Sequence, residues 1–244
     1  MFKKSSVRYT DNPIIAAFDR LASRYDAWYT TPLGAFVNTR EKEVLFALAR
    51  VQPGERVLDV GCGTGDYTLD LARQDIRAIG IDLAPAMLAA ATHKAKASGL
   101  PVGYVQGAAE TLPFPAESFN LVVSVTALEF VNSPQTVVAE MLRVLRPGGR
   151  LVVGVLNAWS LWAWTYRRQK GTVYEYAHFF NPPELISLLH SYGPVAWQSC
   201  IVTPPWSPGR VGGVALSLER LGSVLLKPFG AFLVARTEKR GGPW

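Results

Sequence analysis

Three glycines at alternate positions, Gly61, Gly63 and Gly65, follow directly on the apolar run Val57-Leu58-Asp59-Val60. Glycine at such spacing lets a chain turn sharply and bring its backbone close to a ligand. The pattern is G-x-G-x-G and not the G-x-G-x-x-G of dinucleotide binders, because position 66 is Asp. An acid at the start of the following helix disfavours phosphate, which needs a free helix N-terminus. Asp59 and Asp66 instead suit a ligand bearing positive charge, such as the ammonium group of an amino acid. Taken alone, the glycines suit a plain tight turn equally well. A second acid, Asp82, ends the next apolar run. There a carboxylate can accept hydrogen bonds from both hydroxyls of a ribose, and it can also cap the helix that opens near Pro85.

These residues need strands to carry them and helices to cover the strands. The chain supplies short apolar runs alternating with helical periodicity. Strands are expected at 56–60, 76–81, 102–106, 119–125 and 150–156, with helices at 67–74, 85–98 and 135–145 between them. The last of these helices should stop at Pro147-Gly148-Gly149. Such alternation makes an α/β fold with a mainly parallel sheet covered on both faces, and right-handed crossovers. Ahead of this core, Ile14, Phe18, Leu21 and Tyr25 recur at helical spacing and predict one helix from Pro13 to about Tyr29, broken by Pro32 and Gly34. A second amphipathic helix is expected over 36–50. Behind the core, Asn181 is placed to cap a helix running to His190. Late strands are expected at 195–202 and 229–236. The segment 203–227 reads either as a cap over a site or as a packed connector.

Composition bounds the rest. The chain has 244 residues, 49% of them hydrophobic, enough for one sizeable core. A charged fraction of 18% with seven Trp argues against disorder. The net charge of +6 is scattered, with short clusters at Lys3-Lys4, 167–170 and Lys239-Arg240, which reads as a solvated surface. Two cysteines, Cys62 and Cys200, make no disulfide framework. No run reaches the ~18 apolar residues of a membrane span, and residues 1–12 are polar where a leader would be apolar. The expectation is a cytoplasmic protein whose N-terminal tail is mobile.

Leu58-Asp59-Val60-Gly61-Cys62-Gly63-Thr64-Gly65, Gly80-Ile81-Asp82-Leu83 with Met87, Glu110-Thr111-Leu112-Pro113-Phe114 ahead of Phe119-Asn120-Leu121-Val122, and Leu142-Arg143-Val144-Leu145-Arg146-Pro147-Gly148-Gly149 together resemble the class I SAM-dependent methyltransferases. Within them the likeness is to the branch that includes ubiquinone- and menaquinone-biosynthesis enzymes, and it spans roughly residues 18–157. The resemblance implies a Rossmann-like, seven-stranded, mainly parallel sheet with the last strand antiparallel and an N-terminal helical lid. It implies a single domain over 1–244, divided into a lid (1–50), a cofactor-binding core (54–157) and substrate-side segments with a cap (158–228), the late strands running to 236. It implies S-adenosyl-L-methionine as cofactor. Asp59, Gly61 and Gly63 would lie against its methionine part, Cys62 would be a further cofactor-binding residue, and Asp82 would take the ribose hydroxyls. Leu83 and Met87 would flank the adenine, Ala109 and Glu110 would line its edge, and Thr126 would lie under the methionine. The family often has an acid where this chain has Ala108, so adenine recognition would fall to backbone or to Glu110. Leu112-Pro113-Phe114 reads as loop packing. Tyr25 and Tyr29, one helical turn apart in the lid, can turn aromatic faces to a sulfonium, or simply pack.

Methyl transfer from a sulfonium asks the protein mainly to align the nucleophile and exclude water. A base is needed only where the nucleophile carries a proton at neutral pH. Glu129, after the fourth strand, and His178, in the aromatic stretch 174–180, are the candidates; His93 and His190 read as surface residues. No Asn-Pro-Pro-Tyr-like sequence follows the fourth strand, and no carboxylate cluster suggests a metal-dependent enzyme. Neither nucleic acid nor metal is therefore expected. Trp159, Trp162, Trp164 and Tyr166 lead into Arg167-Arg168-Gln169-Lys170, and Trp206 and the apolar stretch 211–226 follow. Aromatics beside basic residues can line an apolar pocket, pack a cap or rest weakly on a membrane surface. The expected substrate is thus a small, hydrophobic or lipid-like molecule. An RNA or protein substrate, or a non-catalytic SAM-binding accessory role, is the alternative. An NAD-dependent oxidoreductase is disfavoured by the glycine spacing and by Asp66.

Overall fold

The computed structural model describes residues 12–206 and 213–240. The expectation of a mobile tail therefore falls almost wholly outside the described residues, as do the first positions of the apolar stretch 211–226. Seven strands form one sheet: β1 (Arg56–Val60), β2 (Arg77–Asp82), β3 (Gly103–Gln106), β4 (Phe119–Val125), β5 (Leu145–Leu156), β6 (Ala196–Cys200) and β7 (Phe232–Glu238). Their order is β3-β2-β1-β4-β5-β7-β6. β1 pairs in parallel with β2 and β4, and β4 in parallel with β5; β7 runs antiparallel to both β5 and β6.

The central strands are apolar on both faces because both faces are covered. Leu58, Val60 and Val122 point into one core, with α5 (Pro134–Val144) and α7 (Pro182–His190). Val57, Leu121 and Val123 alternate to the opposite face and pack with α2 (Pro32–Ala49). Two-residue periodicity thus divides each strand between two cores. The start of α7 carries a capping box: the Asn181 side chain accepts from the Glu184 N–H at 3.0 Å, and Glu184 reaches back toward the Asn181 N–H. Such a cap contributes about 1 kcal/mol.

Three expectations are corrected. The N-terminal helix α1 (Pro13–Leu21) ends early, and residues Ala22–Thr30 continue as a 3-10 helix. Tertiary contacts override helical periodicity here. Asp26 accepts from Thr64 Oγ1 at 2.7 Å and pairs with Lys94 at 2.7 Å, which pulls the tighter segment onto the glycine loop. Pro32 does not break a helix but opens α2, as the first residue after the cap Thr31, whose hydroxyl accepts from the Gly34 N–H at 3.0 Å. β5 begins at Leu145 and runs through Pro147-Gly148-Gly149, with a register shift between the pairs Phe119–Leu145 and Leu121–Arg150. The glycines absorb the irregularity rather than ending the strand.

The segment after β6 is tied back to the end of that strand. Its helix α8 (Gly213–Leu225) is held by Glu219, which is 1% exposed. Glu219 accepts from the N–H groups of Ile201, Val202 and Thr203 at 2.5, 3.0 and 3.0 Å, and from the Thr203 hydroxyl at 2.6 Å. The outer face of α8 leaves Leu221, Val224 and Leu225 exposed. No helix among the described residues is long and apolar enough to cross a membrane.

Candidate functional site

The carboxyl ends of β1, β2 and β4 open into a cavity of about 550 Å3, within the range of small-molecule sites. The glycine loop forms its floor. Gly61 has φ +74°, and a Cβ there would stand 2.3 Å from that of Ala127, so both conformation and space demand glycine. Gly63 has φ +53°, and a Cβ there would meet nothing within 4 Å, so its backbone faces open room. The loop is tied to β2 through hydrogen bonds from the Gly61 and Cys62 N–H groups to the Ile81 carbonyl.

Asp82 has two tasks. One oxygen accepts from the Gly63 N–H at 2.8 Å and the other from the Ala84 N–H at 2.9 Å, so it joins the glycine loop to the start of α4 (Pro85–Ser98). Each oxygen keeps a further lone pair, and Asp82 lines the cavity. Burial raises the Asp82 pKa against the pull of these hydrogen bonds. Asp59, 2% exposed, accepts from Thr68 Oγ1 at 2.6 Å. Burial, with help from Asp82 and Asp66, pushes it up to about 7. Asp66 also lines the cavity and pairs with Lys42 at 2.6 Å.

The side walls are mixed, with apolar residues beside Asp82. Leu83, Met87, Ala109 and Glu110 line the cavity beside Asp82. Thr126, at the end of β4, holds φ +47°, an unfavourable conformation for a β-branched residue. Such strain gathers at functional sites. The lid closes over these residues. Asp19 accepts from the Ala86 N–H at 2.9 Å, Phe18 meets Phe130 edge-on at 4.9 Å, and Tyr25 and Tyr29 face the cavity with centroids 6.1 Å apart. All twelve residues expected around the cofactor line this one cavity: Tyr25, Tyr29, Asp59, Gly61, Cys62, Gly63, Asp82, Leu83, Met87, Ala109, Glu110 and Thr126. Leu112-Pro113-Phe114 is braced from behind, as Arg143 donates to the carbonyls of Leu112 and Phe114 at 2.9 Å each.

The two candidate bases are not among the cavity's lining residues. Glu129, 1% exposed, accepts from the Leu156 N–H at 2.7 Å and latches the end of β4 to β5. Burial pushes it up to about 8. The His178 N–H donates to the Glu129 carbonyl at 2.8 Å, while its exposed ring turns to Glu184 at 2.5 Å, over the cap of α7. The second Glu129 oxygen is buried without a partner among the described residues, and its charge is felt by Glu41 and Tyr174 in the cavity wall.

The lining residues that sequence reasoning missed are Glu41, Tyr67 and Tyr174, with Trp28, Arg20 and Arg24 nearer the lid. Glu41 sits in the charged stretch Arg40-Glu41-Lys42-Glu43, which reads as a solvated helix face. Its spacing from Val37, Val44 and Leu45 is the only hint that it turns inward. Tyr166 also lines the cavity and stacks on Tyr174 at 4.1 Å. It ends α6 (Leu161–Tyr166), whose Trp162 is buried and whose Leu161 and Trp164 are exposed. Trp159 and Trp206 are exposed beside them.

Residues 58–153 match the methyltransferase domain family. The chain is 37% identical to the demethylmenaquinone methyltransferase of Thermus thermophilus, over 56% of this chain and 62% of that enzyme. It is 31% identical to the ubiquinone biosynthesis O-methyltransferase of Cereibacter sphaeroides, over 63% of this chain and 67% of that enzyme. The chain thus spans about two thirds of the length of these curated relatives. The crystal structure of a SAM-dependent methyltransferase from Thermotoga maritima shares the fold, with a TM-score of 0.73 and 24% identity over 93% of this chain and 99% of that one. With its glycine loop, its acid at the end of β2 and its antiparallel last strand, the chain belongs to the class I SAM-dependent methyltransferases.

Proposed function

We propose that the protein transfers a methyl group from S-adenosyl-L-methionine to a small, apolar acceptor. The observation that carries this reading is the one cavity that joins the glycine loop and Asp82 to a wall of tyrosines beneath the N-terminal helices. The residues present fit the cofactor. Open room at Gly63 admits a ligand against the backbone, and Asp82 keeps acceptor capacity beside an apolar slot formed by Leu83 and Met87. When bound, SAM supplies an activated methyl on a sulfonium centre, so the acceptor needs little beyond alignment. The lid, fixed by the Asp19, Asp26 and Phe18 contacts, excludes water. Tyr25 and Tyr29 present ring faces that suit a cationic centre. Glu129 and His178 serve the frame rather than the transfer in this reading.

An apolar acceptor is supported by the aromatic wall, Tyr166, Tyr174 and Trp28, and by the relatives named for menaquinone and ubiquinone biosynthesis. The test is release of S-adenosylhomocysteine when the purified protein and SAM meet a panel of apolar alcohols, phenols and amines, with polar nucleosides and RNA as controls. Turnover confined to apolar acceptors is expected. Turnover on RNA alone would overturn the reading.

A further inference from the structure

Glu41 is a carboxylate in the cavity wall without a cation of its own. It is 9% exposed, and its hydrogen-bond partner among the described residues is the Tyr67 hydroxyl at 3.5 Å. The neighbouring cations are engaged elsewhere: Arg40 with Glu43, and Lys42 with Asp66 and Asp70 at 2.6 and 2.5 Å. Five phenols share the same cavity: Tyr25 and Tyr29 from the lid, Tyr67 from α3 (Asp66–Ala72), and Tyr166 and Tyr174 from the chain beyond β5. A buried carboxylate is costly unless it is protonated or paired. Aromatic faces and a carboxylate together match an organic cation: the rings attract it through their quadrupoles and the acid through charge-assisted hydrogen bonds.

We propose that Glu41 and the surrounding tyrosines form a subsite for an alkylammonium group, carried either by the amino-acid end of SAM or by the amine of the methyl acceptor. This rests on the reading of the cavity as the cofactor site. The groups that act on Glu41 fit it. Burial pushes its carboxyl up to about 8; the Tyr67 hydroxyl opposes this, Asp66 and Glu129 add to it, and Lys42 opposes it weakly. At neutral pH the carboxyl therefore holds a proton until a cation displaces it. Binding an ammonium group requires the ionised acid, so each binding event below about pH 8 releases one proton. Affinity then rises by up to ~10-fold per pH unit toward pH 8 and levels above it. Asp59, pushed up to about 7, titrates in the same window, so the slope is read as the difference from a variant that lacks only Glu41.

The experiment titrates wild type and Glu41→Gln with S-adenosylhomocysteine and with 5′-methylthioadenosine, which lacks the amino-acid end. The proteins loaded with S-adenosylhomocysteine are then titrated with n-hexylamine, against n-hexanol as the neutral control. If the cofactor carries the ammonium group, the variant loses ~10- to 100-fold in S-adenosylhomocysteine affinity and keeps its methylthioadenosine affinity. If the acceptor carries it, S-adenosylhomocysteine binding is unchanged. Hexylamine then outbinds hexanol on wild type and loses ~10-fold or more on the variant. In either case the pH slope of the affected ligand flattens in Glu41→Gln. Unchanged methylthioadenosine binding reports that the variant is folded. Equal S-adenosylhomocysteine affinity in both proteins, with no preference for hexylamine, overturns the inference alone. Wild-type protein that binds neither adenosyl ligand overturns the cavity's reading and the inference with it.

Discussion

The cofactor wall and the outer cap are built on opposite plans. At the carboxyl ends of β1 and β2 the side chains are short, and their bonds run to backbone N–H groups a few residues or one strand away. Asp82 ties Gly63 to Ala84, and the Gly61 N–H reaches Ile81. The cap around α6 and α8 is assembled from segments far apart in sequence, held at its base by Glu219 and exposing Trp164, Leu225 and Phe229 outward. The first plan fixes a ligand by local backbone geometry. The second rests on contacts between distant segments and leaves apolar side chains at the surface.

Removing the cap's foothold should separate the two most sharply. Glu219→Ala orphans three backbone N–H groups in the interior, at a cost of about 2–4 kcal/mol. For a chain of this size that lowers Tm by roughly 5–15 °C. Thermal melts should show this loss while S-adenosylhomocysteine affinity stays within about twofold; a large loss of affinity would mean that cap and cofactor wall are one unit. The converse change is Asp82→Ala, which should weaken S-adenosylhomocysteine binding by ~10- to 100-fold, as expected for lost hydrogen bonds to a charged group. The fold should survive, because the Ile81 bonds still hold the glycine loop. Unchanged affinity would refute the ribose assignment.

Acidity offers a subtler probe. Asp59 is held at about 7, and Glu41 and Glu129 at about 8, all chiefly by burial. A carboxyl raised in the folded state stabilises the fold fully below its unfolded pKa and loses that contribution as pH rises toward the folded value. The ligand-free protein should therefore melt several degrees lower at pH 8 than at pH 5, and Glu129→Gln should flatten part of that slope. A wild-type Tm that rises over this range would contradict the burial of these acids. The smallest effect belongs to His178→Ala. Its exposed ring bonds only Glu184 and packs edge-on against Phe180, so turnover should change less than about twofold and stability by no more than about 0.5 kcal/mol. A tenfold loss of turnover would return His178 to the reaction.

This contrast also explains what could be read from sequence. β1 and β4 fall at their expected limits, and α4 likewise, because a continuous apolar run between two covering layers, or a Pro start with a Gly stop, fixes both ends locally. The expected cavity-lining residues from Asp59 to Thr126 were legible because each lies within a few positions of a strand end. The lid was misread at Leu21, where contacts to Thr64 and Lys94 outweigh periodicity. Glu41 was illegible because a charged helical stretch looks the same whether one of its acids faces solvent or a cavity. Glu129 and His178 were candidates by type and by neighbouring sequence; one Glu129 oxygen accepts from the Leu156 N–H and the His178 ring turns to Glu184. Residue type near a site does not determine aim.

The central claim is that the glycine loop and Asp82 form one wall of an adenosyl-ligand cavity. Calorimetric titration of the purified protein with SAM, S-adenosylhomocysteine and NAD tests it most directly. Micromolar binding of the first two with none of NAD is the predicted result. Binding of NAD, or of none of the three, would contradict the account.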